Sequence, residues 1–244
     1  MDRGAMIYLS QTERIMYKKE IAFFKEFYDS SIQPLFNDNI IEKGIEESVI
    51  NGREEYLRTA CTEYPDESDY YNSGEKCGYE KYLYYKILKN NIKLSLISTA
   101  FQFWIQQLRK FLYRKFITNG MLEKNISITR FFPKGYSDFK THLNKFIKIS
   151  DELWSELWNE VINIDSLNNA IKHGAGKSEE SLKEEKPEWF LEPSNYRDSF
   201  SSEGSNLDSS KINVNDICNT LQKFWDMFPN KSDCLKDYDT NINK

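Results

Sequence analysis

Histidine is nearly absent from this chain and cysteine is sparse: two of the first and four of the second in 244 residues. The cysteines, Cys61, Cys77, Cys218 and Cys234, form no CxxC pair, and no histidine stands at a short ligand spacing from any of them. Structural zinc needs such spacings, so no metal site and no cofactor is expected. A signal-peptide core is also missing, because Asp2, Arg3, Glu13 and Arg14 surround only a short apolar run. Long hydrophobic spans are absent too. The best of them, IKLSLISTAFQFWIQQL over 92–108, carries Lys93, Gln102, Gln106 and Gln107, which a bilayer core would penalise. These absences predict a soluble cytoplasmic protein with reduced thiols and no membrane partner. There is no surplus of positive charge: 33 basic against 38 acidic residues leave a net charge of -5. The total therefore shows none of the cationic excess of dedicated nucleic-acid binders, and basic positions have to be read one at a time. The densest group, Arg109, Lys110, Arg114 and Lys115, lies on one predicted helix and reads as a solvated face. No segment sustains period-two alternation, and no repeat of fixed length is visible.

What the chain does have is aromatic side chains, 16 Phe, 15 Tyr and 5 Trp, enough to build a core in one domain spanning 1–244. Ser10 and Glu13 stand at capping-box spacing, followed by Tyr17, Ile21, Phe24 and Tyr28 at helical steps, with Phe23 and Phe27 widening the stripe. Asp38 is placed to cap a second helix carrying Ile41, Ile45 and Val49, which Asn51-Gly52 is expected to interrupt. The acidic stretch 63–75 reads as a surface loop. The longest helical pattern covers about 76–118, with a break expected at Asn90-Asn91. It carries Leu94, Ile97, Phe101, Trp104, Leu108 and Leu112 and stops at Asn119-Gly120. A loop over 126–135 is followed by a short helix with Phe139, Leu143, Phe146 and Ile147. A longer helix with Leu153, Leu157, Val161 and Ile164 runs to Ile171 and is ended by Gly174. The Ser- and Asn-rich stretch at about 193–212 reads as a flexible loop between a helical core over about 10–190 and a docking helix over about 213–228, with a tail over 229–244. The class is an all-α helical bundle.

One stretch carries chemistry. KHGAGKSEES, 172–181, contains the Gly-Lys-Ser letters that close a phosphate-binding loop. Such a loop needs a glycine five positions before Gly176 and a strand ahead of it; Ile171 stands there, inside a helical pattern. A P-loop is excluded. His173 instead falls in the last turn of a helix, where the dipole favours an imidazolium, with Asn169 one turn behind and Lys172 beside it. An imidazole exchanges protons near neutral pH, so the cluster has the parts of an acid-base site for a phosphodiester. The same letters also describe an ordinary positive helix end with a glycine cap. The other histidine, His142, sits among Lys140, Thr141 and Asn144 on a predicted exposed face.

An all-helical chain whose long helix ends in NNAIKHG resembles the HEPN superfamily, whose motif is an Arg, a polar residue, several variable residues and a His. More narrowly, Asn169, Lys172, His173, Gly174, Gly176 and Ser178, followed by Pro187 and Phe190, resemble an uncharacterised bacterial HEPN-like group. The segments 104–112 and 224–229 resemble its other recurring stretches. The resemblance implies a helical core, a homodimer that brings two motifs together, and metal-independent cleavage of RNA by a toxin-type effector, as in phage defence with an antitoxin or defence-system partner. His173 would then be the acid or base, with Asn169 and Lys172 as its catalytic helpers. Asn168, Arg109 and Lys177 would contact the substrate. The departure is Asn168, which stands where active members have Arg and removes the donor fork closest to the phosphorus. An inactive helical scaffold that binds RNA or a protein partner is therefore the alternative.

Overall fold

The structure is a computed structural model that describes residues 7–60, 66–118, 151–174, 176–191 and 206–230. It is an all-α helical bundle. The helices are α1 (Gln11–Phe27), α2 (Asp38–Thr59), α3 (Glu67–Thr118), α4 (Asp151–His173), α5 (Lys177–Glu185) and α6 (Val214–Asp226). A π-turn, Tyr28–Ile32, and a 3-10 turn, Gln33–Phe36, join α1 to α2, and a second 3-10 turn, Pro187–Trp189, follows α5. Among the described residues the extended pairing is confined to one bridge, Phe190 with Leu207.

The predicted capping box starts α1: the Ser10 hydroxyl accepts from the Glu13 amide at 3.2 Å, and Glu13 Oε2 accepts from the Ser10 amide at 3.2 Å. Tyr17 and Ile21 are buried as their spacing requires, but Phe23 and Phe27 face outward. The cap of α2 is Asn37 rather than Asp38. Asn37 has extended backbone and its side-chain oxygen accepts from the Ile40 amide at 2.9 Å, while Asp38 is already helical. Helix α2 passes through Asn51-Gly52 unbroken. Gly52 is there for contact: an added Cβ would lie 2.7 Å from Cys77 Sγ and 2.9 Å from the Ser73 carbonyl oxygen of α3.

Two expected irregularities in α3 do not occur. Residues 67–75, read as loop, are helical because Asp66 caps them, accepting from the Ser68 amide at 2.7 Å. No break falls at Asn90-Asn91, since the Asn90 side chain accepts from the Ser209 hydroxyl and backbone helicity continues. The result is a single helix of 52 residues, about 78 Å at 1.5 Å per residue. Its first half pairs with α2 as an antiparallel arm, and its second half enters the core. The Asn119-Gly120 stop, the segment 126–135, His142 and the short helix around 139–147 lie outside the described residues.

The final helix does more than dock. Phe224 of α6 contacts Trp104 of α3 (ring centroids 4.9 Å) and Trp154 of α4 (5.5 Å), while Trp225 stacks on Tyr17 of α1 at 4.4 Å. Helix α6 is thus the centre around which α1, α3 and α4 pack. Its C-terminal carbonyls are satisfied by Arg14, a buried guanidinium that donates to the Trp225 oxygen at 2.6 Å and the Phe228 oxygen at 2.7 Å. The described residues that flank the first and last helices also join the core. Ile7 and Leu9 are fully buried, and the Leu9 amide donates to the Pro229 oxygen at 3.0 Å. The closing part of the stretch read as flexible is packed too: Leu207, Ser209 and Ile212 are buried, and Lys93 donates to the Ser209 carbonyl at 2.7 Å. Those few apolar side chains outweigh the ordering entropy that the Ser- and Asn-rich composition suggested.

Candidate functional site

The carboxyl-terminal turns of α4 gather the residues that the sequence singles out. At 100° per residue, Asp165, Asn169, Lys172 and His173 fall within an arc of about 100° on one face. Asp165 and Asn169 are half-buried, whereas Lys172 and His173 are exposed. The helix stops because Gly174 takes a positive φ of 68°, a left-handed conformation that glycine adopts without strain. The Gly174 amide still closes on the Ala170 oxygen at 2.9 Å, so the imidazole is presented on the last closed turn.

Asp165 is the residue that the sequence reading passed over. The Lys172 ammonium, two turns away, and the Asn169 amide, one turn on, both favour its ionised form. Burial outweighs both and pushes the carboxyl up to about 6 from an ordinary 3.8. The signal was available as an i, i+4, i+7 series of polar residues, Asp165, Asn169 and Lys172, on one side of the helix end. Nothing in the letters, however, says how much water the fold removes from that carboxyl.

Asn168, in the position the motif gives to Arg, turns the other way. It is buried, and its Oδ1 accepts from the Ser98 hydroxyl of α3 at 2.7 Å, with Gln102 Nε2 donating to the same hydroxyl at 3.0 Å. The position is part of the α3–α4 contact and not of the exposed face.

Arg109 is not brought to His173 within one chain. Helices α3 and α4 run antiparallel, since Ser98 meets Asn168 at one level while Trp104 and Trp158 share Phe224 at another. Eleven residues separate Arg109 from Ser98, about 16 Å of helix, and His173 lies about 7 Å beyond Asn168 in the opposite direction. Arg109 is half-buried and its Nε has no hydrogen-bond partner among the described residues. Two of its neighbours in the basic group are committed elsewhere: Arg114 bonds the Tyr17 hydroxyl, and Lys115 lies 3.4 Å from Glu13 and over the Tyr8 ring.

Lys177 is exposed at the first position of α5. Gly176 before it is extended, and the element ahead is a helix, so the Gly-Lys-Ser letters form no phosphate loop. The acidic first turn of α5 is a lock: Glu179 is buried and its Oε1 accepts from the Asn206 amide at 3.2 Å. Among the described residues no three His, Cys, Asp or Glu side chains come together as a metal site, and no helix is long and apolar enough to cross a membrane.

Fold and site thus define an all-α bundle whose α4 ends in a face of half-buried carboxylate and amide groups beside an exposed ammonium and imidazole. No family model, no curated protein and no solved structure matches this chain.

Proposed function

We propose that this chain is an HEPN-like protein that cleaves RNA without a metal ion at the end of α4. The observation that carries the reading is the convergence of Asn169, Lys172 and His173 on one accessible face, next to a glycine stop that leaves the imidazole open. In this reaction the ribose 2′-oxygen attacks the adjacent phosphorus, the bond to the 5′-oxygen breaks, and a cyclic phosphate results. His173 moves the proton of the attacking hydroxyl or of the leaving oxygen, a role worth about 10²- to 10⁴-fold when the group is positioned. Lys172 supplies a point charge near the phosphate, and Asn169 orients the hydroxyl or the imidazole. Lys177, just past the helix stop, extends the cationic rim. A homodimer would place two such ends together and offer a route for Arg109 of the other copy. A toxin-type effector in phage defence, held silent by an antitoxin or other partner in the cytoplasm, is the setting that suits such chemistry.

A second reading, an inactive scaffold that binds RNA or a protein, is favoured by one observation. Asn168 spends its side-chain oxygen on Ser98 inside the bundle, so the arginine fork that would stabilise charge on phosphorus is lacking. Labelled RNA incubated with the protein and with His173→Ala in EDTA separates the two. Cleavage by the unmodified chain alone supports the first reading. Cleavage by both removes His173, and binding without cleavage by either supports the scaffold.

A further inference from the structure

We propose that the face of α3 formed by Tyr79, Tyr82, Lys86, Lys89 and Lys93 is a track for single-stranded RNA, its tyrosine rings stacking on bases and its ammonium groups meeting phosphates. The inference takes its ligand class from the RNA reading above but does not depend on cleavage. At 100° per residue the five positions fall within an arc of about 80°, along about 21 Å of helix. Tyr79 and Tyr82 are 57% and 45% exposed, and Lys86 and Lys89 are exposed as well. Neither of these two lysines forms an ion pair among the described residues. Lys93, half-buried at the foot of the arm, donates to the Ser209 carbonyl at 2.7 Å. Burial first and the Lys89 charge next hold its pKa below the ordinary ammonium value, while Asp208 opposes them. The stretch 79–93 holds four lysines and one acid, Glu80, in a chain whose net charge is -5. Glu80 lies about 140° round the helix from the middle of the face, and Glu75 closes the track one turn before Tyr79.

Cations in line with exposed aromatic rings are what an unpaired strand requires, since every base has a face to stack and every link carries a charge. Two other partners fit the surface less well. A helix lying on a bilayer buries Trp, Phe or Leu, and the exposed aliphatic side chain of this stretch, Leu88, lies about 140° away from the face. Protein interfaces are depleted in lysine, whereas this face carries Lys86 and Lys89 at its centre. The track also leads toward the end of α4. Ser98 and Asn168 are hydrogen-bonded across antiparallel helices. Lys93 stands five residues before the first and His173 five residues after the second, so the two lie at about the same height along the bundle.

The test uses labelled single-stranded RNA of about 16 nucleotides, the upper site size of single-strand binders. Its riboses carry 2′-O-methyl groups, which remove the attacking hydroxyl, so fluorescence anisotropy reads binding whether or not the protein cleaves. Tyr79→Ala combined with Tyr82→Ala is expected to weaken binding by at least about tenfold, and the corresponding Phe pair, which keeps the rings, to restore it. Lys86→Gln with Lys89→Gln should reduce the slope of log K against log salt by about 1.4, at about 0.7 for each phosphate contact. Lys19→Gln with Lys110→Gln removes the same charge from exposed positions elsewhere and should leave the slope unchanged. All the substituted positions but the rings' edges are solvated, and circular dichroism melts matching the parent's verify that each variant folds. An unbound wild type, equal losses in the control pair, or duplex RNA held as tightly as the single strand would each overturn the proposal. So would phosphatidylserine vesicles bound through Lys86 and Lys89 in place of RNA. A wild type that binds this strand yet cleaves no unmodified RNA supports the track and defeats the ribonuclease reading alone.

Discussion

At the scale of single residues, Asp165 is the side chain that the fold treats least kindly. An isolated carboxyl ionises near 3.8, and in the folded chain burial raises it to about 6. The folded state therefore holds the proton more tightly than the unfolded one, and stability falls as pH rises between those two values. The cost is absent below the lower value and complete above the upper one. Allowing for the partial exposure of the group, it amounts to about 1 kcal/mol. Asp165→Asn is accordingly expected to be more stable than the parent by about 1 kcal/mol near pH 7.5, with the advantage vanishing below about pH 4. Urea unfolding at the two pH values reads this directly, and an advantage that persists in acid would show that charge is not its source. Positions that retain a group against stability are where function is expected. Arg14 makes the opposite case, a buried charge whose hydrogen bonds to Trp225 and Phe228 account for it structurally.

At the scale of elements, the α2–α3 arm shows how helices associate when they have few large side chains to interlock. The buried residues of the pairing include Gly52, Gly74 and Gly78, and the backbones approach closely because those positions have no Cβ. Gly52→Ala would gain about 1 kcal/mol of helix propensity. The new Cβ, however, would stand 2.8 Å from Cys77 Cβ and 2.9 Å from a carbonyl oxygen that cannot step aside. Overpacking of that kind costs about 1–3 kcal/mol, so the net effect is a loss of about 1 kcal/mol, read as a lower midpoint in far-UV circular dichroism melts. Gly176→Ala serves as the control, since its Cβ meets nothing within 4 Å and its backbone is extended. Equal effects of the two substitutions would rule out close packing as the reason for Gly52.

At the scale of the whole molecule, stability is unevenly distributed. The second half of α3, with Trp104, Leu108 and Phe111, packs with α6 into an aromatic core, whereas the arm buries little besides its glycines and Leu83. Local opening should follow that contrast. Amides of 40–59 and 67–88 are expected to exchange with deuterium at least about tenfold faster than those of 97–116 and 214–226, a difference of more than 1.4 kcal/mol in opening free energy. Mass spectrometry of exchanged peptides measures it, and uniform protection would mean that the arm and core open as one unit. The spacing of apolar residues was enough to determine the helical class, the capping box at Ser10, the core stripe from Ile97 to Leu112 and the stop at Gly174, because each depends on neighbours within a turn or two. The convergence of Asn169, Lys172 and His173 on one face was legible for the same reason. Tertiary structure alone decided that α6 lies at the centre, that the arm is continuous through Gly52 and Asn90, and that Leu207 and Ile212 are core. It also turned Asn168 toward Ser98, set Arg109 apart from His173 and withdrew water from Asp165. Those outcomes depend on which surfaces meet across long stretches of chain, and burial, unlike periodicity, is a property of the packed pair and not of either partner's letters.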